Sequence, residues 1–142
     1  MTFPVGSFAG RIVLDWTGPN DFIYQPVGGF VFVRSTGEVI QPDQFHTDGG
    51  STPRWATVVG NDFDRFGDCF PGFLIHDWLF ELNRMDKGTT TFKGSAQILG
   101  ECLETLNAKG WNGKGKKRIT KAAIAAIFIA VSSPVARELW HR

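Results

Sequence analysis

The spacing of apolar residues changes near residue 70, and this change restricts the fold more than any other feature of the sequence. Before it, short segments rich in Val, Ile, Phe and Tyr are separated by turn residues such as Gly, Asn and Pro, a pattern typical of strands. In one segment Phe30 and Phe32 alternate with Val31 and Val33, which predicts a strand covered on both faces. The predicted strands are RIVLDW (11–16), DFIYQPV (21–27), GFVFVR (29–34) and EVIQP (38–42).

After residue 70 the apolar residues have helical spacing. Pro71 suits the first turn of a helix, Thr120 fits an N-cap, and Pro134 should end or kink the last helix. The predicted helices cover residues 71–84, about 90–108 and about 120–134. The 142 residues fit one domain, residues 1–142. We therefore expect an α+β fold, with a small N-terminal antiparallel β unit packed on about three C-terminal helices.

Charge is unevenly distributed along the chain. Residues 1–104 carry 7 basic and 13 acidic side chains (net −6), and residues 105–142 carry 8 basic and 1 acidic (net +7). The dense cluster Lys114–Lys121 is typical of a solvated loop and helix start, and its alternative is contact with an anionic partner. Aromatic residues do not alternate with these lysines, so the cluster does not predict a nucleic-acid site.

Two further features limit the possible environments. The first residues lack a basic stretch followed by an apolar one, so no secretory signal is predicted. The longest apolar run, 122–131, has ten residues, about half the length of a membrane span, and is interpreted as a core helix. Cys69 and Cys102 have no zinc-site spacing, and two buried thiols are favoured over a disulfide.

The helix PGFLIHDWLF (71–80) holds His76 and Asp77 among bulky apolar residues. Ionisable groups in such surroundings need partners, because burying an unpaired charge costs several kcal/mol. Adjacent helical residues point about 100° apart, so each side chain needs a partner from outside its own helix. The natural source is the glycine loop HTDGGSTPR (46–54), whose backbone permits close approach.

Two interpretations of this His–Asp pair remain open. In the functional one, His76 is a general base or metal ligand, and Asp77 with Asp48 binds a divalent cation such as Ca²⁺. In the structural one, Asp77 bridges the loop and Arg54 or Arg84 neutralises it. His46 could add a third ligand, although a polar surface role is favoured.

The order of these motifs resembles a family of small phage and prophage proteins of unknown function. FHTDGGSTPRW, PGFLIHDWLF and NRMDKGTTTF correspond to a TDGASVPR-like loop, an HDWLY-like helix and an R-x-x-AD-x-x-F-like segment, covering about residues 27–111. The family's polar residues would fall on Asp48, Ser51, Pro53, Arg54, His76, Asp77 and Asp86. Phe80 replaces the usual tyrosine and Gly50 the usual alanine, so a phenolic donor is missing. A weaker similarity is to the His–Asp helix and calcium loop of secreted phospholipase A2.

The resemblance leads to two hypotheses for function. The first is a virion or tail-associated component or an accessory factor, located in the virion or the host cytoplasm and binding other phage proteins or a host factor. It is the favoured hypothesis. The alternative is a small metal-dependent hydrolase that uses His76 as base and Asp77 and Asp48 as ligands. With no nucleophile motif such as G-x-S-x-G, water would then attack the substrate.

Overall fold

The computed structural model describes residues 2–19, 21–47, 67–116 and 118–141, and every structural statement below concerns these ranges. Six short strands precede four helices, so the fold is α+β as predicted. The strands are β1 Ser7–Ala9, β2 Val13–Gly18, β3 Asp21–Gln25, β4 Val31–Val33, β5 Val39–Ile40 and β6 Phe45–Thr47. The helices are α1 Phe70–Arg84, α2 Phe92–Lys109, α3 Lys121–Val131 and α4 Pro134–Trp140.

The strands of the N-terminal β unit form two antiparallel sheets. One sheet has the order β1-β4-β5 and the other the order β2-β3-β6. In the second sheet, Phe22 of β3 lies opposite Thr47 of β6. The sequence pattern did not predict β1 or β6, because a strand of three residues is too short to establish an alternating period.

The predicted helix starts are confirmed. Pro71 lies in the first turn of α1. The Thr91 hydroxyl accepts a hydrogen bond from the Gly94 N–H at 2.9 Å, and the Thr120 hydroxyl accepts one from the Ala123 N–H at 3.0 Å. These are N-cap contacts, which satisfy backbone donors that a helix start leaves without partners.

Pro134 ends one helix and starts another. The third predicted helix is therefore two, because α3 ends at Val131 and α4 begins at Pro134 with a Ser133 cap. Within the described ranges, no single helix has the length and apolar character needed to cross a membrane, and α3 and α4 meet that criterion only as a pair bent by 58°.

Aromatic rings fill the space between the sheets and α1. Tyr24, Phe30 and Phe32 are fully buried, and Phe45 stacks on Tyr24 with ring centroids 5.8 Å apart. Phe45 also packs on Trp78 of α1, with ring centroids 5.2 Å apart. A second apolar cluster joins α2 and α3. Because α1 covers the sheets, the residues of α1 that lie beside β6 form the candidate site.

Helix α2 carries two buried carboxylates that bind other elements. Glu101 accepts two hydrogen bonds from the Arg34 guanidinium, at 3.0 and 2.7 Å. Glu104 pairs with Lys121 at 3.0 Å. These pairs connect α2 to the end of β4 and to the start of α3.

The two cysteines do not form a disulfide. Cys69 and Cys102 are both buried free thiols, as the sequence favoured. Burial raises the pKa of Cys69 to about 12, with a smaller contribution from the Asp68 charge. Burial also raises the pKa of Cys102. Both thiols are therefore protonated and unreactive at neutral pH.

Candidate functional site

The candidate site is centred on the middle of α1, where His76 and Asp77 lie between buried residues. Ile75 and Trp78 on either side face the core, while His76 and Asp77 are only partly exposed. The apolar residues place one face of α1 on the sheets. The His–Asp pair is thereby held beside β6, at the point where the chain enters residues 48–66.

Asp77 meets the segment that the sequence identified as its source of partners. The Thr47 hydroxyl donates a hydrogen bond to a carboxylate oxygen of Asp77 at 3.2 Å. Thr47 is 6% exposed and is the last residue of β6. The bond therefore joins the second sheet to α1 at the start of the glycine loop. A hydrogen bond to a charged group contributes about 1.5–3 kcal/mol.

His76 is a neutral imidazole in an apolar setting. Its ring contacts the Phe80 ring at 4.8 Å, on the helix face expected from the sequence. Burial lowers the pKa of His76 to about 4. Part of the residue remains exposed, but its Nε2 atom is buried and has no hydrogen-bond partner among the described residues. The imidazole is therefore uncharged at pH 7 and keeps one ring nitrogen available.

His46 lies away from this pair. Alternation along β6 buries Phe45 and Thr47 and exposes His46, which approaches the Asp21 carboxylate at 3.4 Å. Hydrogen bonds from Thr17 and then from His46 lower the pKa of Asp21. His46 thus has the polar surface position that the sequence favoured, and its side chain is not aimed at Asp77.

Two charged residues that follow the pair along the chain do not join it. Arg84 forms a bidentate ion pair with Glu81, so of the two arginines that the structural interpretation offers for Asp77, Arg84 pairs elsewhere and Arg54 lies outside the described ranges. The reason is helical spacing, because Glu81 lies three positions from Arg84 and Asp77 lies seven. Asp86 is exposed in a left-handed turn, with φ of 59°, beyond the end of α1.

The remaining predicted site residues lie outside the described ranges. Asp48, Ser51, Pro53 and Arg54 belong to residues 48–66, so their roles as ligands or partners stay predictions. Among the described residues, no group of three His, Cys, Asp or Glu side chains could hold a metal ion. A cation at Asp77 would therefore need ligands from residues 48–66, as the pairing with Asp48 requires.

Thr47 is the site residue that the sequence did not single out. It stands inside the quoted loop motif, yet no role was assigned to it. The only local signal for this role is that Phe45 and Thr47 alternate with His46. A run of three residues is too short to establish such an alternation. The sequence therefore predicted which segment contacts Asp77 but not which side chain of that segment.

Comparisons of the chain with protein-family models, with curated proteins and with solved structures give no match. The function is therefore argued from the site and the surface of this chain alone.

Proposed function

We propose that this chain is a small phage-encoded virion or accessory protein, in which the His–Asp pair fixes the loop that begins at His46 against α1. The observation that carries the proposal is the Thr47–Asp77 hydrogen bond. It occupies the Asp77 carboxylate with a structural partner from the same loop. The phage origin rests on the resemblance of the loop and helix motifs.

An exposed apolar surface on α3 and α4 supports a role in binding another protein. Ile129, Val135 and Leu139 are 67%, 64% and 44% exposed. They lie on two consecutive helices, whereas isolated exposed apolar residues are common on any protein. Where exposed apolar side chains adjoin one another, they are typical of interaction sites. Other phage proteins or a host factor are the proposed partners.

The structural role of the pair is tested by a double-mutant cycle on urea unfolding. Thr47→Val and Asp77→Asn should each destabilise the protein, with a coupling of about 1–2 kcal/mol between them. Thr17→Val is the matched control, because Thr17 also donates to a carboxylate, Asp21, but on the exposed surface. Additive effects of Thr47→Val and Asp77→Asn would contradict the structural role.

The assembly role is tested in purified particles of a phage that carries the gene, analysed by mass spectrometry. The wild-type chain should be present at a fixed copy number per particle. Val135→Lys should lower that number, because a charge is placed in the apolar surface. Val27→Lys is the matched control, since Val27 is 73% exposed and lies on a different part of the chain. Absence of the wild-type chain from particles, together with no stable host partner, would contradict the proposal.

A metal-dependent hydrolase is the second candidate, and the uncharged His76 favours it. A neutral imidazole nitrogen that lacks a partner among the described residues can accept a proton, but burial of Nε2 and the lowered pKa of His76 make it a weaker base than an exposed imidazole. The test is thermal unfolding of the metal-stripped protein with Ca²⁺, Mg²⁺, Mn²⁺ or Zn²⁺. A metal that stabilises the wild type but not Asp77→Asn would favour the hydrolase. No stabilisation by any of the four metals would favour the structural role.

A further inference from the structure

A cleft separate from the His–Asp pair opens between β2, the first turn of α1 and the turn that follows α2. Its volume is about 580 Å³, within the range of about 300–1,000 Å³ that small-molecule sites occupy. The apolar part of the wall is formed by Ile12, Leu14, Phe70, Pro71, Leu106 and Trp111.

The Trp111 ring is held in the cleft wall by a tight turn. Asn112 and Gly113 both have positive φ, at 52° and 80°, which is the geometry of a two-residue hairpin turn. Trp111 and Lys114 exchange backbone hydrogen bonds across it, at 2.7 and 2.9 Å. A ring fixed in this way loses little conformational entropy when a ligand lies against it.

Aromatic packing supports Trp111 from behind. Its ring lies 5.8 Å from the ring of Phe8 in an edge-on arrangement and 5.8 Å from that of Phe30. Phe30 is fully buried. The indole is therefore anchored on the core and partly exposed toward the cleft, and a flat apolar surface is available to a ligand.

Two cationic side chains border the same cleft. Arg11 and Lys114 both line it, both are exposed, and neither has an ion-pair partner among the described residues. The Arg11 backbone is fixed by a hydrogen bond from its N–H to the Gly28 carbonyl at 3.0 Å. The first turn of α1 adds a partial positive charge at Phe70 and Pro71.

One acidic side chain limits the charge that the cleft can accept. Asp68 also lines it, and a Cβ placed on Gly115 would lie only 2.7 Å from an Asp68 carboxylate oxygen. Among the described residues of the wall, the charged side chains therefore sum to a single positive charge. A ligand with one negative charge matches this balance, whereas a second negative charge would be repelled by Asp68.

We propose that this cleft binds a small monoanion with a flat ring, of the aryl carboxylate class. The ring lies against Trp111 and Phe70, and the anion is held between Arg11 and Lys114. Guanidinium groups bind carboxylates through paired hydrogen bonds, and the apolar wall removes the ring from water.

The test uses anilinonaphthalene sulfonate, a fluorescent aryl monoanion, and its uncharged analogue phenylnaphthylamine. The wild-type chain should bind one molecule of the anionic dye. The double variant Arg11→Gln/Lys114→Gln should bind that dye about tenfold more weakly, equivalent to about 1.4 kcal/mol, with little change for the uncharged dye. Lys87→Gln/Arg118→Gln, which removes one lysine and one arginine at exposed positions outside the cleft, should match the wild type.

Competition then identifies the ligand class. Naphthoate, an aryl carboxylate, should displace the anionic dye at lower concentration than a nucleoside monophosphate, which carries more charge. Lys114→Gln alone provides a second variant if the double variant does not fold, as judged by circular dichroism. The proposal is overturned if the dye binds at several sites, if the control variant loses affinity equally, or if naphthoate does not displace the dye.

Discussion

At the residue scale, His76 illustrates how surroundings determine protonation. In the unfolded chain its pKa is near the ordinary value of 6.5, and in the folded chain burial lowers the pKa to about 4. Between these values the unfolded state binds more protons, so acid favours unfolding. The stability that the neutral ring contributes is present above pH 6.5 and is lost as the pH falls toward 4.

His76→Gln should therefore reduce the pH dependence of stability in that interval. The wild type should lose up to about 3 kcal/mol of unfolding free energy between pH 7 and pH 4 through this residue. Urea unfolding measured at several pH values checks it. His141→Gln, a substitution of an exposed histidine, should keep the wild-type slope. Equal slopes for His76→Gln and the wild type would contradict the expectation.

The two cysteines allow a second prediction at this scale. Both thiols are buried and both pKa values are raised, so the reactive thiolate is scarce. Native protein should react with iodoacetamide only slowly, and protein in denaturant should take up two labels per chain. Mass spectrometry counts the labels. Rapid labelling of the native protein would show that one of these thiols is accessible.

At the scale of elements, the buried carboxylates of α2 determine how sheet and helices are joined. Arg34 is 20% exposed and Glu101 only 2%, whereas Arg84 and Glu81 of the ion pair on α1 are 64% and 22% exposed. The Glu101 hydrogen bonds raise the pKa of Arg34, which keeps it charged. Removing the partner of a buried charge costs more than removing that of an accessible one, because the remaining charge cannot reach water.

Arg34→Met should therefore destabilise the fold by about 3 kcal/mol, since among the described residues the Glu101 carboxylate would keep only Gln97 as a side-chain partner. Arg84→Met, which removes the partner of the more accessible Glu81, should cost about 1 kcal/mol or less. Urea unfolding at neutral pH compares the two. In the double variant Arg34→Met/Glu101→Gln, part of the loss should be recovered. A cost for Arg34→Met no larger than that for Arg84→Met would refute this account.

The helices were predictable at this scale and the shortest strands were not. Thr120 and Pro71 are local signals, because a cap hydroxyl and a proline ring act on their own backbone. Strands β1 and β6 exist because partners β4 and β3 lie beside them. Pairing with a distant segment determines such strands. Three residues have too little intrinsic β propensity to predict a strand by themselves.

At the scale of the whole molecule, the two apolar clusters share residues. Phe8 and Trp111 pack against both the cluster under the sheets and the cluster between α2 and α3. Elements that share a core lose their stability together. The sequence-based prediction of a single domain over residues 1–142 thus has a direct consequence for unfolding.

We expect one cooperative thermal transition. Differential scanning calorimetry should give equal calorimetric and van't Hoff enthalpies, and circular dichroism and tryptophan fluorescence should report the same midpoint. Two separated transitions would mean that the sheets and the helices unfold as independent units.

The sequence by itself determined the α+β class, the starts of the helices and the segment that Asp77 would meet. These features depend on local periodicity, capping and the cost of burying charge, all of which neighbouring residues encode. The tertiary structure decided the rest. In the folded chain, Asp77 pairs with Thr47 and Arg84 pairs with Glu81. Arg11 and Lys114 lie at the same cleft. Such contacts join residues far apart in the chain or choose among several nearby partners, so packing of the whole fold selects them.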